Sequence, residues 1–460
     1  MNANPPLLLI IDYNLARVSD VAHIAAYARA RYGAKIVLIR ANPSERDAQL
    51  CEYLIDLDPL ADDFVEQGLL YLKPWREQLR AGMVFSDNAV QSGAALLERL
   101  ALPVDSASLA ANAYSKRDYR VSEARVRDLF ESQGMMVPDC VEVDSVTDLR
   151  DFADRHPDGF VVKPSCEGNN RGVVVVKRGD SLEAAFAAVE PYLSRGAICE
   201  TFIPFSREFS FDGVGATEFV TEKVSAHGRY PVEVAQILPA QISGAERATL
   251  TRGGRLANVL VGQLRGPFHN EIKLDDAGRE AAIVEPNRRP AGMKIWTIAE
   301  EVYGIDFYAL WVDAAFGVVR EPRLAPAGKQ AATVMLGVPS DGTCTPATLD
   351  EGAQLFDRTL ARAAALLGVD SMRRIEFGWL SEVERLIPAL PRDNADFAAQ
   401  ACFVVDSDAA DMRNVVTTVR ATWLSVLAEA RDIFTPTNAT AATAATAATA
   451  PAVSTLAAAA

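Results

Sequence analysis

At 460 residues, with 49% hydrophobic and 23% charged side chains, the chain is long enough for two or three domains with buried cores, which excludes a disordered polymer. A net charge of −15 argues against non-specific binding to nucleic acid or to an anionic membrane, so phosphates would have to be held in a local basic pocket. The six cysteines, Cys51, Cys140, Cys166, Cys199, Cys344 and Cys402, include no CxxC pair, so neither a zinc site nor a disulfide framework is indicated and reduced cytosol is the simplest setting.

No stretch approaches about 18 uninterrupted apolar residues, and the N-terminus lacks a basic n-region, so no membrane or secretion signal is expected. Leu7 to Ile11 is a short apolar run, Asp20 to Arg31 has a helical pattern, and Ile36 to Ile39 is a second run, which together open as βαβ. Leu69 to Leu72 and Met83 to Ser86 look like further strands and Val90 to Leu100 like a helix, so residues 1–112 are expected to form a small parallel α/β domain. No GxGxxG follows the first strand, which weakens a dinucleotide reading. A helix is expected from Ser115 to Gln133 with Gly134 as its C-cap, then an extended stretch from Pro138, and a compact α+β unit over 113–205.

The remainder, 206–434, reads as an α+β domain dominated by antiparallel strands. Strands are expected at Phe209 to Val214, Phe219 to Val224 and Cys402 to Asp406, with helices near Ile295 to Tyr303, Phe307 to Phe316 and Asp408 to Arg431. Residues 435–460 are a low-complexity Ala/Thr tail without charge or pattern, expected to be disordered.

Within that domain, Gly266 to Gly292 is the richest segment. Glu271 to Leu274 alternate polar with apolar, Asp275 to Gly278 supply turn chemistry, and Ala281 to Asn287 form a second extended run, a hairpin signal. Glu285 and Asn287 would share a face roughly 6.6 Å apart. An even register would add Glu271 about one diagonal away, roughly 7 to 8 Å. Two carboxylates and an amide oxygen are hard donors that suit Mg²⁺. The pattern alone favours a solvated hairpin face, since exposed carboxylates on a hairpin are common, but Arg288, Arg289, Pro290 and Gly292 follow at once, and cations beside such a cluster suggest anionic ligands.

Two weaker signals precede it. Phe160 to Val162 leads to Lys163 and Pro164, then a polar loop, Ser165 to Gly172, interrupts the pattern before Val173 to Val176 resumes it. Such a loop can close backbone N–H groups over phosphates while the lysine neutralises charge, though most loops of this kind are plain turns. Cys166 has no nearby histidine partner and reads as a bystander thiol. Ala197 to Ile203 then meets Glu208 to Asp212 at a proline-bearing hinge, which could leave backbone groups of Thr201 to Ile203 free for an adenine edge and place Glu208 at ribose hydroxyls. An inter-domain strand with solvated carboxylates is the plainer alternative.

The order of these features, Lys116 in YSKRDYR, then VVKP with its loop, then ETFI…REFSFDG, then the Glu271, Glu285, Asn287 hairpin with ExNxRxxG, resembles the ATP-grasp superfamily, specifically its carboxylate–amine ligases of the L-amino acid ligase and carnosine-synthase-like kind. The resemblance covers roughly 115–316, and the N-terminal βαβ region looks like the domain that precedes ATP-grasp. It implies an α+β fold with an α/β N-terminal domain, the nucleotide lying between two α+β subdomains. It further implies that Lys116, Lys163, Ser165, Gly168 and Gly172 meet the phosphates, that Glu200, Thr201, Phe202 and Ile203 form the adenine hinge, and that Glu208 holds ribose. Glu271, Glu285 and Asn287 would bind two Mg²⁺, with Mn²⁺ as a substitute. Arg289 and Lys163 would be catalytic, Arg289 sitting over the transferring phosphate, and Glu233 and His269 would join Arg289 as substrate contacts. Two departures are Asn169 and Asn170 in the phosphate loop, where glycine and serine are more usual, and an extra residue in the hinge at Pro204 to Arg207.

The implied activity is ATP-dependent activation of a small carboxylic acid, an amino acid first among them, as an acyl phosphate, followed by amide formation with an amine and release of ADP and phosphate. Carboxylation or thioester formation on the same fold, or a non-catalytic nucleotide-binding module, are the alternatives. The expected partners are small molecules, in the cytoplasm, with no nucleic acid or membrane and with a homodimer allowed.

Overall fold

The computed structural model describes residues 4–168, 171–226 and 232–437. The first apolar run is β1 (Leu7–Ile11), buried at all its positions and paired in parallel with β2 (Lys35–Arg40) and β4 (Leu79–Val84), with β3 (Tyr53–Asp56) beyond β2. A parallel sheet of this kind needs cover on both faces, and the alternation of side chains supplies it. Leu8 and Ile10 share a core with the helix Val18–Tyr32 and with Trp296 and Trp311, while Leu7, Leu9 and Ile11 share another with Phe64, Leu96 and Leu97. The core thus runs without a break from the N-terminal sheet into residues far along the chain.

Leu69 to Leu72 is not a strand but the end of the helix Phe64–Leu72, because Phe64, Gly68 and Leu72 bury a stripe at the helical spacing of four. The strand that occupies this part of the sheet, β3, buries only Ile55 and shows no alternation to betray it.

The Ser115 side chain accepts from the Asp118 N–H at 3.2 Å and starts the helix Lys116–Ala124. Rather than running on to Gln133, the helix breaks at Arg125 and Val126 and resumes as Arg127–Ser132, after which Gly134, at φ +76°, turns the chain. A four-stranded antiparallel sheet follows, made of β5 (Cys140–Glu142), β6 (Phe160–Pro164), β7 (Val174–Val176) and β8 (Ala197–Thr201) in the order β5-β8-β6-β7.

The largest sheet has eight antiparallel strands. They are β9 (Arg207–Val214), β10 (Thr217–Ser225), β11 (Glu233–Leu238), β12 (Pro267–Leu274), β13 (Ala281–Asn287), β14 (Gln330–Leu336), β16 (Met372–Trp379) and β18 (Ala399–Val405), ordered β13-β12-β9-β10-β11-β14-β18-β16. The helix Gly244–Leu260 contacts β9, β10, β12 and β13, Phe307–Ala315 contacts β9 and β4, Ile295–Tyr303 contacts β11, β14 and β18, and Leu349–Leu367 and Met412–Glu429 cover β14, β16 and β18 around Phe356, Phe403 and Trp423. A small third sheet joins β15 (Gly342–Cys344), β17 (Arg385–Ile387) and β19 (Phe434–Pro436). Thr435 and Pro436, expected to open a disordered tail, therefore pair with β15, and the Ala/Thr tail from 438 onward lies outside the described residues.

Gly213 sits where β10, β9 and β12 press together: a Cβ there would fall 2.1 Å from the Thr217 carbonyl oxygen and 2.7 Å from Phe268 Cζ. Because the first obstacle is backbone, Gly213→Ala is expected to lower unfolding free energy by at least ~1–3 kcal/mol, read from a shifted urea midpoint at unchanged slope.

Candidate active site

Antiparallel register assembles the polar face strand by strand. Across β10, β9 and β12 the first row is Lys223, Glu208, Lys273; the second is Thr221, Ser210, Glu271, extended by Glu285 on β13; the third is Phe219, Asp212, His269, extended by Asn287. Alternation along each strand points all three rows to one side. Glu271 is thus directly opposite Glu285 and not one diagonal away, because the bulge after Glu271 shifts the rest of the hairpin by one residue.

The face is held by an ionic chain. Asp212, fully buried, accepts from Ser210 Oγ at 2.6 Å, Thr221 Oγ1 at 2.7 Å and His269 Nδ1 at 2.6 Å. His269 Nε2 lies 3.6 Å from Glu271 Oε1, and Lys223 Nζ meets the same oxygen at 2.8 Å. Burial favours the neutral imidazole, but Asp212 and Glu271 outweigh it and push the His269 pKa up to about 9, so both ring nitrogens donate at neutral pH. Burial likewise opposes ionisation of Glu271, and Lys223 and His269 overcome it and hold the carboxyl well below its usual range. Lys223 is raised in turn: burial works against its charge, and Glu233 and Glu271 restore it. Glu233 is raised by burial, with Lys223 opposing, and its Oε1 finds no partner among the described residues. It stands beside the chain and not in it. Glu208 bonds Ser225 Oγ and pairs with Lys273 at 3.2 Å.

Lys116 reaches from its helix to Glu285 Oε2 at 3.0 Å and donates to the Glu167 carbonyl at 2.8 Å, so one ammonium joins the polar loop to the hairpin. Its charge is favoured by Glu285 against the penalty of burial. In that loop Ser165 is buried with Oγ unpartnered among the described residues, and its carbonyl accepts from the Lys116 N–H at 2.9 Å. Gly172, at φ +69°, passes so close to Pro164 and Tyr192 that a Cβ would clash at 2.8 and 2.9 Å, whereas Gly168 faces open space. Asn169 and Asn170 fall outside the described residues.

Several expected positions have different partners. Lys163, buried, bonds Glu200, which Arg120 Nε also holds at 2.8 Å. Burial would raise the Glu200 carboxyl, yet Arg120 and Lys163 bring it to about 2, while burial lowers Lys163 with Glu200 opposing. The Glu200 side chain therefore turns inward and away from the hinge. The Thr201 N–H donates to the Asp139 carbonyl at 2.9 Å and is not free for an adenine edge, leaving Phe202, half exposed, and Ile203, buried, beyond the strand end. Arg289 is clamped by Asp87 of the N-terminal region, its Nε 2.7 and 2.6 Å from the two carboxylate oxygens. Asn287 donates Nδ2 to the His269 carbonyl at 3.1 Å, which leaves Oδ1 as its free donor atom.

Among the described residues no three His, Cys, Asp or Glu side chains are grouped as a metal site. A divalent cation would rest on Glu271, Glu285 and the Asn287 amide, and two carboxylates plus one carbonyl oxygen leave room for the waters and phosphate oxygens that Mg²⁺ prefers. The donor set therefore fits the ion.

Sequence reasoning overlooked Lys223, Arg120 and Asp87. Lys223 is two residues after Thr221 on an alternating strand and could have been flagged. Arg120 shares a helix face with Lys116 four residues earlier and meets Glu123, three residues on, at 2.7 Å, but its other partners, Glu200 and the carbonyls of Ile283 and Val284 at 3.0 and 3.3 Å, are distant in sequence.

The architecture is that of the ATP-grasp enzymes, α+β with an α/β N-terminal domain. An L-amino acid ligase from Bacillus licheniformis superposes with a TM-score of 0.66 at 20% identity, over 95% of this chain and 100% of that one. A carboxyaminoimidazole ribonucleotide synthase from Aspergillus clavatus complexed with ATP superposes at 0.62 and 12% identity, over 92% and 99%. In sequence, the chain is 24% identical to an alanine–anticapsin ligase from Bacillus subtilis over 241 residues, 47% of this chain and 49% of that protein. It is 27% identical to a D-alanine–D-alanine ligase from Caulobacter sp. (strain K31) over 283 residues, 58% and 78%. The chain spans about half the length of two of the alanine–anticapsin ligases it matches and 65% of a third. No family model matches it.

Two measurements test this electrostatic description. His269 should titrate near pH 9 by NMR, and Asp212→Asn should lower that value, because of the two carboxylates only Glu271 then opposes burial. Since the folded pKa is the raised one, the stability from this pair is complete below about pH 6.5 and is lost as pH rises through about 9. Arg120→Met strands Glu200 and Glu123 in the interior and should cost about 3 to 5 kcal/mol, measured by chemical denaturation.

Proposed function

We propose that the protein is an ATP-dependent, ADP-forming carboxylate–amine ligase that activates a small carboxylic acid, an amino acid first among candidates, and joins it to an amine as an amide or dipeptide. The observation that carries this reading is the sheet face on which Glu271 and Glu285 stand opposite each other beside Asn287, with Lys116, Lys223 and Arg289 around them. The named activities of its sequence relatives, which join alanine to anticapsin or to D-alanine, support it.

A carboxylate is a poor electrophile, and phosphorylating it replaces one prohibitive step with two feasible ones. An oxygen of the acid bonds the γ-phosphorus as the bond to the β-phosphate oxygen breaks and ADP leaves. The amine then bonds the acyl carbon, phosphate departs, and the nitrogen loses a proton. Glu271, Glu285 and Asn287 would hold Mg²⁺, two ions in the fuller reading, whose chemistry when bound is to neutralise phosphate charge. Lys116 and Lys163 neutralise the phosphates, Ser165, Gly168 and Gly172 supply the loop over them, and Phe202 and Ile203 border the base with Glu208 toward ribose. Arg289, oriented by Asp87, places a fixed cation beside the transferring group, and charge fixed before reaction is what such a step needs. His269, cationic and aligned by Asp212, with Glu233 beside Lys223, lies where the substrate's charged ends would be sorted.

A second reading, carboxylation, is favoured by the likeness to carboxyaminoimidazole ribonucleotide synthases, which is similar in extent to that with the amino acid ligase. Incubating the protein with ATP, Mg²⁺ and a panel of amino acids, with bicarbonate in a parallel arm, separates the two. Amide product by mass spectrometry with equimolar ADP and phosphate is expected, whereas AMP release, or ATP binding without turnover, would sink the proposal. Glu285→Gln should lower turnover at least ~100-fold with an unchanged melting temperature. Lys163→Ala should raise KM for ATP ~10-fold or more. No described helix is long and apolar enough to cross a membrane, and a cytoplasmic enzyme acting on small molecules fits the reading.

A further inference from the structure

Behind the end of the hairpin, on the side away from the polar sheet face, lies a second cavity of about 550 Å³ of empty space, part of it open to solvent. Most of its wall is apolar, with Met83 from β4, Ala94 and Leu97 from the helix Val90–Arg99, and Trp311 from the helix Phe307–Ala315.

Four polar side chains interrupt that wall; Arg265 is exposed, and each of the three buried ones has an unmet need. Arg288 is 7% exposed and its Nη1 donates to the carbonyls of Ser106 and Val261 at 2.6 and 3.1 Å, yet among the described residues no carboxylate comes within ion-pair distance of it. Burial without a counter-ion lowers its pKa, with Asp105 nearby only partly offsetting this. Gln263, 8% exposed, spends its amide nitrogen on the Gly266 carbonyl and leaves Oε1 buried without a donor among the described residues. Asp105, also 8% exposed, accepts the N–H groups of Arg265 and Gly266 at 2.8 Å each and has no cation bonded to it among the described residues. A buried cation lacking an anion, beside a buried acceptor lacking a donor, costs several kcal/mol unless something completes both. A carboxylate satisfies a guanidinium well, and an ammonium satisfies both an amide oxygen and a carboxylate.

We propose that this cavity binds a free α-amino acid with an apolar side chain, its carboxylate on Arg288, its ammonium at Gln263 and Asp105, and its side chain against Met83, Ala94, Leu97 and Trp311. The site is separate from the sheet face, since Asn287 and Arg289 engage His269 and Asp87 while Arg288 between them engages Ser106 and Val261. It touches the hairpin at its origin, because Gly266 and Pro267 line the cavity and lead into β12. An amino acid held there would lie one residue from Asn287, the end of β13. The inference does not depend on the ligase reading.

Calorimetric titration of the full chain, without ATP or Mg²⁺, tests it with L-leucine, 4-methylpentanoate and 3-methylbutylamine as probes. L-Leucine is expected to bind saturably and each half-probe at least ~10-fold more weakly, the loss of one charge-assisted contact. Ala94→Leu and, at a half-buried position that tolerates bulk better, Val104→Phe fill the cavity and should weaken L-leucine at least ~10-fold, while Glu285→Gln on the sheet face should leave it unchanged. Thermal unfolding of each variant shows whether it is folded. Binding that survives both cavity-filling variants, that disappears in Glu285→Gln, that is matched by 3-methylbutylamine, or that is absent at millimolar L-leucine overturns the proposal.

Discussion

The pairing of β12 between β9 and β13 is the constraint on which the rest of the site depends. Side chains alternate across a sheet, so a shift of one residue in that register would send Glu271 and His269 into the apolar side and bring Ile272 and Asn270 out. The register is secured from the apolar side, where Phe209, Phe211, Phe268 and Ile272 pack under the helix Gly244–Leu260. It is secured from the polar side by Asp212, whose hydrogen bonds from Thr221 and His269 tie β9 to β10 and β12. Packing and polar chemistry choose the same alignment, which is how a sequence comes to specify one structure.

A second tie crosses between sheets. Arg120 holds Glu200 from the four-stranded sheet and the backbone of β13 from the eight-stranded one, so the two surfaces that would enclose a nucleotide share one guanidinium. A buried cluster of two carboxylates, an arginine and a lysine gains little net stability from its charges, because desolvation offsets the attraction. Its effect is geometric: five donors in a rigid plane admit few arrangements of their partners.

How much of this could be read from the chain depended on distance along it. The hairpin from Glu271 to Asn287, the helix Ile295–Tyr303 and the cap at Ser115 are local patterns, and the structure brings the three expected ligand positions, Glu271, Glu285 and Asn287, into one corner. The four-residue run Leu69 to Leu72 carried too short a pattern to separate strand from helix. What stayed hidden was pairing: Lys223 with Glu271, Arg120 with Glu200 and Arg289 with Asp87 join residues 48, 80 and 202 positions apart. No periodicity reports a partner at that range, and so Glu200 and Thr201, plausible at a hinge by order alone, turn out to be spent on Lys163, Arg120 and Asp139.

The lysine bridges have a thermodynamic consequence. Glu285 already has Lys116 and Glu271 already has Lys223, so a bare cation arriving at this pair must displace an ammonium from each and meets carboxylates whose charge is largely compensated. Phosphate oxygens reverse that balance by offering both lysines a better partner. On the proposed reading metal and nucleotide would be mutually dependent guests: each would raise the affinity for the other by the same factor, as linkage requires, and the polar loop tied to Lys116 through the Glu167 carbonyl would be released or recruited in the same exchange.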